Sequence, residues 1–302
     1  MTEYNMRDGR GKEVPVVEED GIVYFKTQMI RLSGRSLRKQ IDGVLNMTVR
    51  DDDILIAAYP KAGTHWTWEI VSMLVKGHAD YEIKAKESAM LDYRSVEEIE
   101  AIQSPRVLNT HYPSRLIPKG IIEKRRKIIH VQRNIKDSAV SYYHHCKEFY
   151  VPEDMTFHDF LPLVTGKDNN GKHIHYSWFD YVKEWEIYTR DHLELDILNL
   201  YYENMQMDSV GEIRKLSNFL GYDYPNGFLE EVADKCSFRK LQKANTDLKQ
   251  DPTKRNSGTS IMYRKGQVGD WKNWFTIAEN EYIDTLHAEK MTNTNLKFTF
   301  AI

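Results

Sequence analysis

The chain has little of what would place it outside a reducing cell interior. It holds only Cys146 and Cys236 among 302 residues, too few for a disulfide framework. No apolar run reaches the ~18 residues that a membrane span requires, and the charged N-terminus has no apolar core of a secretory leader. A cytoplasmic protein with no membrane partner is therefore expected. The sequon Asn46-Met47-Thr48 would then stay unmodified. Strong charge of either sign is also missing. The net charge of −3 argues against a broad nucleic-acid surface and leaves room for a small anion in a local basic pocket. No internal repeat and no linker divides the sequence. A Walker A loop is absent as well, which counts against the reading as a P-loop small-molecule kinase.

What is present alternates strand with helix. Apolar runs Ile54–Ala58, Val107–His111, Lys127–Gln132 and Ile197–Tyr202 read as strands, and Trp66–Val75 and Trp178–His192 as helices. The pattern predicts an α/β fold: a single domain with a central, mostly parallel sheet flanked by helices. The domain is expected over 21–302, after a flexible, charged tail at 1–20. Residues 243–269, rich in Lys, Asn, Ser and Gly, read as a long surface loop of the kind that often covers a site. Ligands of such sheets bind beyond the carboxyl ends of the strands. Lys61, His111, Arg133 and Tyr202 all fall there.

The most telling segment follows the first of these strands: Tyr59-Pro60-Lys61-Ala62-Gly63-Thr64-His65-Trp66. A strand, a glycine turn and a helix point several backbone N–H groups at one spot, with partial positive charge behind them. Lys61 adds a full charge and Thr64 a hydroxyl. The combination suits a phosphate or a sulfate. Arg133, with Ser141 eight residues on at the start of a helix, forms a second fork-and-hydroxyl clamp.

The octet resembles the 5′-phosphosulfate loop of the cytosolic sulfotransferases. Arg133–Tyr143 resembles their 3′-phosphate segment, and Tyr263-Arg264-Lys265-Gly266…Gly269-Asp270-Trp271 their Arg-Lys-Gly signature. Tyr202-Glu203 and Ser237-Phe238 match positions near the adenine. The resemblance covers most of 50–290. It implies a P-loop-kinase-like fold and the donor 3′-phosphoadenosine 5′-phosphosulfate (PAPS), which leaves as PAP, with no metal required. It further implies His111, in Asn109-Thr110-His111, as the base and Lys61 as the stabiliser of the leaving phosphate. Cofactor contacts are expected from Lys61, Ala62, Gly63, Thr64, His65, Trp66, Arg133, Ser141, Tyr202, Cys236, Ser237, Phe238, Met262, Tyr263, Arg264, Lys265 and Gly266. Acceptor contacts are expected from Asn109, Thr110 and His111.

Three positions depart from the family pattern. Asn109 stands where the best-known phenol and estrogen enzymes have Lys, His65 where Thr is usual, and Cys236 where Thr or Ser often bonds adenine. The acceptor is expected to be a small hydroxyl or amine compound, apolar or aromatic, from the rings of Tyr24, Phe25, Tyr143, Phe149 and Tyr150. A non-catalytic PAPS or PAP binder is the alternative, for which Asn109 leaves room. His144-His145 and His173-Ile174-His175 lack the companions of a metal site. Lys272–Glu281 resembles the family's dimer segment and implies a homodimer.

Overall fold

The computed structural model describes residues 1–247 and 263–302. Its centre is a four-stranded sheet of β4 (Ile54–Ala58), β5 (Val107–Thr110), β6 (Lys127–Gln132) and β7 (Ile197–Tyr201), in the order β5-β4-β6-β7. Every pair is parallel, with Ala57 beside Thr110, Ala58 beside Val131 and Gln132 beside Tyr201. The register brings all four carboxyl ends to one edge of the sheet.

The sheet is buried on both faces, as parallel sheets are. Alternate residues of β4 therefore serve two cores. Leu55 and Ala57 pack with Trp178, Tyr181 and Trp185 of the helix Trp178–Asp191. Ile54, Ile56 and Ala58 pack with Ile70, Val71 and Leu74 of the helix Thr64–Lys76. A strand with two apolar faces reads as a continuous apolar run, and that is how the sequence announces it.

The first twenty residues are not a tail. They form β1 (Thr2–Arg7) and β2 (Glu13–Glu19), which join β3 (Ile22–Phe25) in an antiparallel sheet. Met6, Val14 and Val16 face inward while Glu3, Glu13 and Pro15 face solvent. Composition hid this period of two, because the outward half is charged. The Asp8 carboxylate closes the turn by accepting from the N–H groups of Arg10 and Lys12. A helix, Phe238–Asp247, also extends into the stretch expected to be loop. The rest of that stretch as far as Met262 lies outside the described residues.

Candidate active site

The turn after β4 is built by backbone that favours glycine. Lys61 has φ +69° and Gly63 φ +115° before the helix starts at Thr64. A side chain at Gly63 would press on Tyr202 Cδ2, so only glycine lets the loop sit this close to the end of β7. The loop thus offers the first N–H groups of a helix beside Lys61. Burial, with Lys86 nearby, lowers the Lys61 pKa to about 8.

Arg133 follows β6 and ties three elements together. Its guanidinium donates to the Lys61 carbonyl at 3.1 Å and the Gln267 carbonyl at 3.2 Å, and lies 4.1 Å above the Tyr202 ring. Its Nε is buried without a partner among the described residues, as are Thr64 Oγ1, Trp66 Nε1 and Ser138 Oγ. Buried donors are ordinarily satisfied. This group of them, around a helix N-terminus, fits a ligand rich in phosphate oxygens.

The closing segment supplies more cations. Arg264 and Lys265 reach the Asp270 carboxylate at 2.5 and 2.6 Å. Burial pushes the Asp270 pKa up, yet bonds from Lys265, Asn273 and Arg264 outweigh it and hold the carboxyl well below its ordinary value. The Asp137 carboxylate accepts from the N–H groups of Gly269 and Trp271, which anchors the segment to the helix Ile135–Phe149. Beside it Trp66 meets Tyr202 edge-on at 5.5 Å, and Phe238 meets Tyr263 at 6.2 Å, a setting for a flat ring.

His111 ends β5. Its Nδ1 lies 2.7 Å from the Ala58 carbonyl, so Nδ1 carries the hydrogen and Nε2 keeps a lone pair. Asp92 accepts from the His111 N–H at 3.1 Å and from the Thr110 hydroxyl at 2.9 Å. His175 Nε2 donates to the His111 carbonyl at 3.0 Å. Burial, then Lys86 and His175, hold the His111 pKa well below its usual value, so the ring is neutral. Burial likewise lowers His65 to about 4, and its Nε2 donates to the Glu87 carboxylate at 2.8 Å.

One cavity of about 340 Å³ joins these groups. Lys61, Gly63, Thr64, His65, Trp66, His111, Arg133, Ser141, Tyr202, Cys236, Ser237, Phe238, Tyr263, Arg264, Lys265 and Gly266 all line it. Ala62 is fully buried in the core instead. Asn109 and Thr110 are fully buried behind the wall, bonded to Lys86 and Asp92. Met262 lies outside the described residues. Cys236 is buried, with its sulfur 3.7 Å from that of Met73. Tyr24, Phe25, Tyr143 and Tyr150 belong to the cores, and none of them lines the cavity, nor does Phe149. Gln28, Arg31, Lys86, Glu87, Met90, Tyr93, Tyr142, His145 and His175 also line the cavity, a more polar set than the sequence suggested. His145 and His175 had a visible signal only as candidate metal ligands. Among the described residues no group of His, Cys, Asp and Glu could hold a metal ion.

A parallel sheet with a helix N-terminus, basic clamps and a neutral histidine around one cavity makes a site for a ligand that carries phosphate or sulfate. Comparison with known proteins narrows the class. Residues 51–295 match the family model for the sulfotransferase domain. Human sulfotransferase 1C2 is 33% identical over 271 residues, covering 84% of this chain and 88% of that protein. Mouse sulfotransferase 1A1 is 33% identical over 267 residues, covering 84% and 89%. The crystal structure of mouse sulfotransferase SULT7A1 complexed with PAP superposes with a TM-score of 0.71 at 29% identity, over 93% of this chain and 96% of that one. Retinol dehydratase in complex with androsterone and PAP shares the fold, with a TM-score of 0.74 at 18% identity, over 94% and 91%. The chain belongs to the sulfotransferase family.

Proposed function

We propose that this sulfotransferase moves a sulfuryl group from PAPS to the hydroxyl or amine of a small acceptor, with His111 as base and Lys61 at the leaving oxygen. The observation that carries the roles is the bond from His111 Nδ1 to the Ala58 carbonyl, which leaves Nε2 of a neutral ring turned to proton acceptance. PAPS supplies an activated sulfuryl group: its sulfur–oxygen bond to the 5′-phosphate breaks as the acceptor oxygen bonds to sulfur, and the electron pair stays with the phosphate. His111 Nε2 takes the acceptor proton. Lys61 offsets the charge left on the phosphate oxygen. Thr64 and the amides of Gly63 and His65 hold the 5′-phosphate. Arg133, Ser141, Arg264, Lys265 and the Gly266 amide hold the 3′-phosphate, and Trp66 and Phe238 take the adenine. The work is mostly positioning and charge stabilisation, by analogy with phosphoryl transfer.

The acceptor is a small ring compound. Tyr93, Tyr142 and Met90 on the cavity wall support this, while Arg31 and Gln28 favour a polar substituent on the ring. The chain pairs as a homodimer through Lys272–Glu281, supported by the exposed Ile277, 78% accessible, within that segment. Cys146 and Cys236 are buried thiols and suit a cytoplasmic setting, and among the described residues no helix is long and apolar enough to cross a membrane.

The test is transfer of labelled sulfate from PAPS to a panel of phenols, sterols, catechols and amines without added metal. Transfer to at least one acceptor is expected. Binding of PAPS and PAP with transfer to none would favour the non-catalytic binder. Failure to bind either nucleotide would overturn the assignment.

A further inference from the structure

Asn109 brings no charge to the site, yet a cation stands where its side chain points. Lys86 Nζ lies 3.2 Å from Asn109 Oδ1, and Asn109 Nδ2 donates back to the Lys86 carbonyl at 3.0 Å. Both ends of the amide are thus spent on one residue. Asn109 itself is fully buried behind the cavity wall, whereas Lys86 lines the cavity. The backbone enforces the arrangement. Met90 bridges to Asn109 in parallel fashion and the Leu91 N–H donates to the Asn109 carbonyl at 2.9 Å, which lays this segment along the open edge of β5.

Lys86 is only 3% exposed. Its other neighbours are Glu87 Oε1 at 3.6 Å and Met90 Sδ at 3.7 Å. The same Glu87 oxygen already accepts from His65 at 2.8 Å, so the nearest carboxylate is shared. Lys86 is also close enough to Lys61, His65 and His111 to oppose a positive charge on each. It therefore stands among the groups assigned to the proton and to the leaving oxygen.

We propose that Lys86, held by Asn109, is the cation that faces the non-bridging oxygens of the transferring sulfuryl group. A cation fixed in a buried site before the reaction stabilises developing charge without reorganisation. Asn109 is then a positioning residue: it aims Lys86 and does not touch the ligand. On this reading the charge at the site sits on the short helical turn beside β5, at Lys86, and not on β5 itself.

The inference rests on the sulfuryl-transfer reading, and its test separates the two. PAPS and PAP differ by the sulfuryl group alone. In Lys86→Met, affinity for PAPS should fall about tenfold with PAP affinity unchanged, as measured by calorimetry. With PAPS and 4-nitrophenol, kcat should fall about 10²-fold. Asn109→Lys alone should slow the reaction, because two ammonium groups would crowd. Asn109→Lys combined with Lys86→Met should return most of the loss, since it puts one cation back; if Lys86→Met does not fold, Lys86→Gln removes the same charge and is read by the same affinity ratio and rate. A Lys86→Met protein with the parental rate and the parental PAPS-to-PAP affinity ratio overturns the proposal. So does one that weakens both nucleotides equally, or a double variant that regains neither rate nor ratio. If the parent binds neither nucleotide, the reading of the site fails instead.

Discussion

His111 and Lys61 set opposite limits on the working pH. His111 is held well below the usual histidine value of about 6.5, so its proton-accepting form persists as pH falls through that value. Lys61, lowered to about 8, loses its charge as pH rises past that point. We therefore expect kcat/KM for PAPS to stay level from neutrality down past pH ~6.5 and to decline above about pH 8. Bound phosphate oxygens favour the charged lysine, so the alkaline limb of kcat should lie higher than that of kcat/KM. A kcat/KM that climbs through pH 8 would contradict the Lys61 assignment. His111→Ala should cut turnover by roughly 10²–10⁴-fold while PAP binding stays intact; a near-normal rate would remove the base. Strand ends marked where Lys61 and His111 would lie, but their proposed roles came from the family resemblance and not from the pattern. Lys86 had no such mark. It lies in a charged stretch without periodicity, and only the bond to Asn109 gives it meaning.

The elements divide by how they bury their residues. The central strands were readable because both faces are apolar. Strands β1 and β2 were not, since half of each faces water. Loop geometry was legible only through glycine. In the closing segment that glycine is Gly266, with φ +64° and packed against the Phe238 ring. A methyl group there would overlap that ring, and no L residue adopts such backbone without strain. Gly266→Ala should therefore displace Phe238 and weaken PAP binding, by an amount on the order of the 1–3 kcal/mol that overpacking costs. Far-UV circular dichroism should stay parental, because the change touches no strand. Unchanged PAP affinity by calorimetry would show that Phe238 does not hold the adenine.

At the scale of the whole molecule, the segment Lys272–Glu281 offers a test of assembly. Thr276 caps the helix Ile277–Lys290 through a capping box with Glu279, so substituting Thr276 would confound pairing with helix stability. Phe275 packs inward, 5.0 Å from the Phe157 ring. Ile277 is the exposed apolar residue of the segment. Ile277→Glu puts an acidic residue in the first helical turn, where the helix dipole favours it. If the chain pairs as proposed, this variant should run as a monomer by light scattering where the parent runs as a dimer, with PAP binding retained. A parent of one-chain mass at micromolar concentration would remove the dimer.

The N-terminal sheet has a reach that its distance from the chemistry conceals. Val23 of β3 exchanges both backbone hydrogen bonds with His175, and His175 in turn holds the carbonyl of His111. The contact that steadies His111 is thus stitched to residues that carry no reactive group. A saturation mutagenesis scan scored for turnover should find sensitive positions on the inward faces of β2 and β3, at Val14, Val16 and Val23, while Glu13 and Pro15 between them tolerate exchange. Removing residues 1–21 would loosen His111 without removing one atom of the cavity wall.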